Sequence, residues 1–318
     1  MVSDWRPDVL GEPYAVETIV LAPDDEGPVE ANLVHRPAEG EVRGAVLHVH
    51  GFADYFFHTE YAEWWTARGY EFYALDLRKY GRSLRSHQTP NYVDDLTTYY
   101  EELDAAWRRI HERDGHEQVV LSAHSTGGLV VSLWADDRAL PLAGTVLNAP
   151  WLDLRGPWLI RNAVTGQLIS QIGARRPRAE IRRTVDQVYG RSLHRQHRGE
   201  WDYDLAWKPL DSWPIYYGWL RAVRRGHQRV HRGLDLQGPI LVLTSGGSAW
   251  PSSPDDEVAD GFDIVLDVAQ IRQWAPQLGA HVTVVSIPGA RHDVVLSLPG
   301  PRAEVYDELA RWVLAYLP

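Results

Sequence analysis

The ten residues Val119-Val120-Leu121-Ser122-Ala123-His124-Ser125-Thr126-Gly127-Gly128 constrain the fold of this chain more than any other stretch. The β-branched run ending at Leu121 has the character of a buried strand, and the apolar residues Leu129 to Trp134 after the glycine pair suit a helix. Between them stands a serine with small neighbours. A strand that turns sharply into a helix with Ser at the apex holds that Ser in a cramped backbone conformation and lifts its hydroxyl clear of the sheet. The positive N-terminal end of the helix then faces whatever the hydroxyl attacks. The usual form of this turn is Gly-x-Ser-x-Gly; here Ala123 takes the first glycine position.

Strand-like and helix-like segments alternate through most of the chain. Ala15 to Leu21, Ala31 to His35, Gly44 to His50, Tyr70 to Leu75, Glu117 to Leu121, Ala143 to Leu147, Pro239 to Leu243 and His281 to Ile287 read as strands. Glu60 to Arg68, Asn91 to Glu112, Asp267 to Leu278 and Arg302 to Leu317 read as helices. This alternation predicts an α/β protein with a mostly parallel, doubly wound sheet. The middle breaks the pattern. From Trp151 to about Gly233 no clear strand appears, while six of the 14 Trp (151, 158, 201, 207, 213 and 219) and helix-compatible stretches such as Arg178 to Tyr189 fall there. The expected organisation is therefore a core from 1–150 and 236–318, with a helical lid inserted at 151–235.

Charge separates the same segments. Arg155 to Arg232 holds 15 Arg and one Lys against six acids, a net +10, which leaves −21 for the rest of a chain whose total is −11. A globally acidic chain is a poor nucleic-acid binder, whereas a basic, Trp-rich lid is a candidate for peripheral contact with a membrane or for steering an anionic substrate. Solvated helix faces are the plainer reading of those arginines. Cysteine is absent, which excludes disulfides, thiolate metal sites and a cysteine nucleophile. No secretion signal or membrane-spanning apolar run is visible, so a cytoplasmic location is expected. Arg191 to His197 contains two His three apart with no adjacent acid, and reads as a surface loop rather than a metal site.

Three further pieces complete what an activated serine requires. His50-Gly51-Phe52-Ala53-Asp54-Tyr55 follows a buried strand, and Gly51 lets that backbone approach the corner. The amide N–H groups of Phe52 and Thr126 would then form a two-donor hole for a developing oxyanion. Pro288-Gly289-Ala290-Arg291-His292-Asp293 places His292 just past the last strand, where an imidazole can reach back to Ser125. The acid should follow the strand ending at Ser245, and Asp263 is chosen, with Asp260, Asp267 and Asp153 as alternatives; Asp267 is better explained as a helix N-cap. Tyr55, Phe56, His124 and Trp151 are candidate substrate contacts. No metal or cofactor is implied, because a neighbouring base activates the nucleophile.

With Asp76-Leu77-Arg78-Lys79-Tyr80-Gly81-Arg82-Ser83 and Gly289-Ala290-Arg291-His292 added, the strings resemble the α/β-hydrolase superfamily, most of all its monoacylglycerol lipase and serine aminopeptidase-like esterases. The resemblance runs from about Gly44 to the C-terminus, excluding the lid. It implies the α/β-hydrolase fold, a triad of Ser125, Asp263 and His292, and an oxyanion hole at Phe52 and Thr126. The expected activity is hydrolysis of small-molecule esters with apolar or aromatic acyl groups. Peptidase, thioesterase or lactonase chemistry, or ligand binding without catalysis, are the competing expectations on the same scaffold. Nothing in the sequence sets the oligomeric state.

Overall fold

In the computed structural model, residues 5–156, 163–181, 187–253 and 256–317 are described. Trp158, the stretch 182–186 and the pair 254–255 lie outside them. Strands β4 (Gly44–Val49), β5 (Tyr70–Asp76), β6 (Val119–His124), β7 (Gly144–Asn148) and β8 (Ile240–Ser245) are apolar runs buried at nearly every position. Strands of that kind belong in a parallel sheet covered on both faces. Together with β1 (Arg6–Pro7), β2 (Ala15–Asp24), β3 (Gly27–Arg36) and β9 (Val282–Ile287) they form one sheet, ordered β1-β2-β3-β5-β4-β6-β7-β8-β9. The pairings from β5 through β9 are parallel, and those of β1, β2 and β3 are antiparallel.

Alternate strand residues build two cores. Ala45, Leu47, Val49, Val119, Leu121 and Ala123 face one cluster, and Val46, Val120 and Val146 face the other. The first is closed by helices α2 (Tyr100–Trp107) and α3 (Thr126–Arg138), the second by α1 (Thr59–Thr66) and α8 (Pro299–Tyr316). Between β7 and β8 the described residues contain helices α4 (Ala163–Arg175), α5 (Val188–Leu193) and α6 (Tyr217–Val230), and no strand. Helix α6 buries Trp219, Val223 and Val230 in the first core. After β8 comes helix α7 (Val268–Trp274).

Element boundaries shift from the sequence reading for local reasons. The helix expected from Asn91 begins at Leu96, because Asn91 has a left-handed φ of 59° and Asp95 caps the turn by accepting from the Thr97 N–H. Its last turn, Arg108–Arg113, widens to π geometry. Asp267 caps α7 through the Ala269 N–H, and Pro276 tightens the end of that helix into a 3₁₀ turn. The C-terminal helix starts earlier than Arg302, with Pro299 pre-organised at its first position.

Candidate active site

Ser125 sits between β6 and α3 with φ 50° and ψ −117°, a conformation that L-residues rarely adopt. The crowding that holds it is visible in the glycines. A Cβ on Gly127 would lie 2.3 Å from the His50 carbonyl oxygen, and one on Gly128 would lie 2.8 Å from Pro150 Cβ. A Cβ on Gly51 would meet His124 Cδ2 at 3.0 Å and Ser125 Cβ at 3.2 Å. Position 123 belongs to β6 and its methyl group is buried in the core, so alanine serves there without strain.

The structure brings Ser125, at the end of β6, together with Asp263 and His292 on the loops that follow β8 and β9. His292 Nε2 is 3.0 Å from Ser125 Oγ, and His292 Nδ1 is 2.8 Å from Asp263 Oδ2. An ionised carboxylate only accepts, so Nδ1 carries the ring proton and Nε2 is left to accept from the Ser125 hydroxyl. Asp263 is fully buried, and its Oδ1 accepts from the N–H groups of Val265 (2.8 Å) and Leu266 (2.6 Å). The other candidate acids are engaged elsewhere. Asp260 pairs with Arg291 at 2.7 Å, Asp153 with Arg224 at 2.8 Å, and Asp267 caps its helix.

Phe52 and Thr126 both border the Ser125 hydroxyl's cavity. Thr126 is the first residue of α3, whose leading N–H groups have no partner within the helix. Phe52 is steered by His50, which bonds the Gly51 carbonyl through Nδ1 (2.8 Å) and accepts from the Leu77 N–H through Nε2 (3.1 Å). Burial holds the His50 ring neutral, with its pKa below the ordinary imidazole value.

The cavity has a volume of about 430 Å³, and its walls include Phe52, Trp151, Tyr189, Trp219, Ile264 and Leu266. His124 and Trp151 line it, as the sequence suggested. Tyr55 and Phe56 do not, contrary to the expectation from their place after Phe52. Tyr55 accepts from the Asp204 N–H at 2.7 Å and packs on Trp207, while Phe56 is buried against Phe72 and Tyr14 in the second core. Of the inserted tryptophans, 151 and 219 face the cavity, 201 and 207 fasten the insertion to the core through the Leu296 carbonyl and the Tyr55 ring, and 213 donates to the Trp207 carbonyl within the insertion. His194 is buried rather than on a surface loop, with Nε2 on the Tyr203 carbonyl.

A buried charge cluster beside the cavity escaped the sequence reading. Lys208 Nζ is 2.7 Å from Asp54 Oδ1, and both residues line the cavity. Asp293 accepts from His58 Nε2 at 2.9 Å and from Asn148 Nδ2 at 2.6 Å. Burial opposes ionisation of both carboxyls, yet Lys208 and the imidazoles hold Asp54, and His124, His58 and Asn148 hold Asp293, well below the usual carboxylate range. Burial lowers the His124 pKa to about 4, so its ring is neutral. The sequence signal was faint: Lys208 is one of only two lysines against 30 arginines. Asp54, His58 and Asp293 also place ligand atoms within 4.8 Å of one another, but the Lys208 ammonium already supplies the positive charge there.

The fold recurs in solved structures. A soluble variant of monoglyceride lipase from Saccharomyces cerevisiae superposes with a TM-score of 0.69 at 16% identity, covering 94% of this chain and 95% of that one. The monoacylglycerol lipase of Paleococcus ferrophilus gives 0.65 at 18% identity, with 89% and 99% covered. A thermostable carboxyl esterase from Bacillus coagulans gives 0.66 at 16% identity, with 95% and 98% covered. Among curated protein sequences there is no significant match. The family model described as serine aminopeptidase, S33, matches residues 40–297, from just before β4 to beyond His292. With that span and this sheet, the chain belongs to the serine aminopeptidase S33 family of α/β-hydrolases.

Proposed function

We propose that the protein is a serine hydrolase of carboxylic esters, acting through an acyl-enzyme on Ser125. The observation that carries this reading is the Asp263–His292–Ser125 line of hydrogen bonds ending in an aromatic-walled cavity. As Ser125 Oγ attacks the ester carbonyl, its proton passes to His292 Nε2, and Asp263 steadies the imidazolium. Negative charge grows on the carbonyl oxygen, where the N–H groups of Phe52 and Thr126 and the end of α3 receive it. His292 then hands its proton to the leaving alcohol. Water activated by the same ring releases the acid and restores Ser125.

Two features favour esters over aminoacyl substrates. An aminopeptidase must hold a free ammonium group, and the Asp54 carboxylate that lines the cavity is already matched by Lys208. The structural neighbours named above are lipases and an esterase. A cavity of about 430 Å³ suits an acyl or aryl group of moderate size, in the range typical of small-molecule sites. In this reading the insertion between β7 and β8 is the lid, and vesicle binding that weakens with salt would give it a membrane-docking part as well.

The test is a fluorophosphonate probe followed by peptide mass mapping, with a panel of chromogenic esters, thioesters and aminoacyl anilides. The expected outcome is label on Ser125 and turnover of esters above anilides, with Ser125→Ala slower by roughly 10⁶-fold. Normal turnover by Ser125→Ala would end the proposal.

A further inference from the structure

Asn148, the last residue of β7, bonds Ser125 and the two residues that follow His292, and it is not among the residues that line the cavity. Its main-chain carbonyl accepts from the Ser125 N–H at 2.9 Å. Its side chain bonds the chain just after His292 twice: Nδ2 donates to Asp293 Oδ1 at 2.6 Å, and Oδ1 accepts from the Val294 N–H at 3.1 Å. Asp293 Oδ2 is held in turn by His58 at 2.9 Å, at the start of α1. All of these side chains are buried.

We infer that the Asn148–Asp293 pair is a positioning clamp that sets the reach of His292 to Ser125. The inference rests on the serine-hydrolase reading above. Ser125 and His292 are 167 residues apart in sequence, and their 3.0 Å contact depends on two loops being fixed relative to one another. One residue fixes both here. The side chain at position 148 must donate to a carboxylate and accept from an N–H at once, which an amide does at any pH and an ionised carboxylate cannot. Catalysis is steep in such geometry, since a displacement of about 1 Å costs on the order of 10²-fold in rate.

The clamp has a distinctive test. Asn148→Asp keeps the shape but sets two carboxylates about 2.6 Å apart. Such a pair retains one shared proton to higher pH than a lone acid. With the proton present the new carboxyl donates to Asp293 and the clamp is whole; without it the two repel. The groups facing this pair are His58 and His124, with His48, Tyr61, Tyr189 and Tyr306 around Asp293 and with Asp54 and Lys208 behind them. Asn148→Asp should therefore lower kcat by about 10²-fold at alkaline pH, with KM within about threefold, and recover relative to wild type as pH falls. Adding Asp293→Asn exchanges amide and carboxylate, reverses the 148–293 hydrogen bond while Val294 N–H and His58 go on donating to the oxygens they meet, and should regain at least tenfold in kcat.

Rates are to be taken per folded molecule, titrated with the fluorophosphonate. If Asn148→Asp does not fold, Asn148→Ala reads the same loss of kcat. A kcat within threefold of wild type for either folded variant, or no gain from the exchange, overturns the clamp. Absence of fluorophosphonate label on wild-type Ser125 would instead sink the hydrolase reading itself.

Discussion

Asp263 Oδ1 accepts from two backbone N–H groups, and that arrangement decides what an amide would do in its place. In the Asp263→Asn variant the amide oxygen must stay with Val265 and Leu266, so the new NH₂ group would face His292 Nδ1. The imidazole would then carry its proton on Nε2, the wrong tautomer for accepting one from Ser125. Asp263→Asn should fold normally and lose about 10⁴-fold in kcat for ester hydrolysis. Activity near wild type with a circular dichroism spectrum unchanged would mean that another acid orients the ring. At the same scale, the 2.3 Å approach of the His50 carbonyl oxygen to a Cβ at 127 explains why the corner needs glycine there, while Gly51 leaves only a tight fit beside His124 and position 123 takes alanine.

The loop after β5 shows what an element contributes. Asp76 accepts from the Phe56 N–H at 2.8 Å and from Arg82 at 2.9 Å, so it ties this loop to the chain that carries Phe52. Gly81 leaves no room for a Cβ, which would lie 2.3 Å from Tyr55 Cβ. Arg78 forks onto Glu102 of α2 with three contacts of 2.6 to 3.0 Å, both side chains buried. The Asp-x-Arg-x-x-Gly-x-Ser string is thus a brace for the loop that carries Phe52. Arg78→Met strands the Glu102 carboxylate and should cost about 3–5 kcal/mol, read by urea unfolding. Joining it to Glu102→Gln should return much of that loss; no return would assign the cost to packing alone.

Across the whole molecule the uneven charge has a structural use. Arg178, Arg198, Lys208, Arg225 and Arg229 of the insertion pair with Asp25 and Glu26, Asp260, Asp54, Asp95, and Asp136 and Asp137 of the core. Lys208 is buried in its pair, whereas Arg178 and Arg225 stay exposed, so the expectation of solvated faces fails at Lys208 and holds at those two arginines. Buried imidazoles govern the response to acid. Burial lowers the pKa of His48, His50, His124 and His227, so each stays neutral in the fold while the unfolded chain protonates it near pH 6.5. Stability is then complete above pH 6.5 and falls on the way toward pH 4, by up to about 1.4 kcal/mol per pH unit for each ring. Melting temperature should drop between pH 7.5 and 5, ahead of carboxylate protonation. A flat profile over that range would show these rings taking up protons in place.

The order of strands and helices, the Ser125 corner and the approach of His292 were legible from the chain alone, because each rests on local signals. Buried parallel strands are apolar throughout, a sharp turn demands small residues, and a loop past the last strand has few places to go. Asp263 stood out less clearly among several acids, since only the folded chain shows that Asp153 and Asp260 are consumed by arginines. Tyr55 and Phe56 looked like cavity residues from their position after Phe52, and it took packing to turn them into the core. The Asn148–Asp293 pair spans 145 residues and the Asp54–Lys208 pair 154. Contacts of that kind leave no periodic trace in a sequence, because each partner is an ordinary polar residue until the sheet brings the two loops side by side.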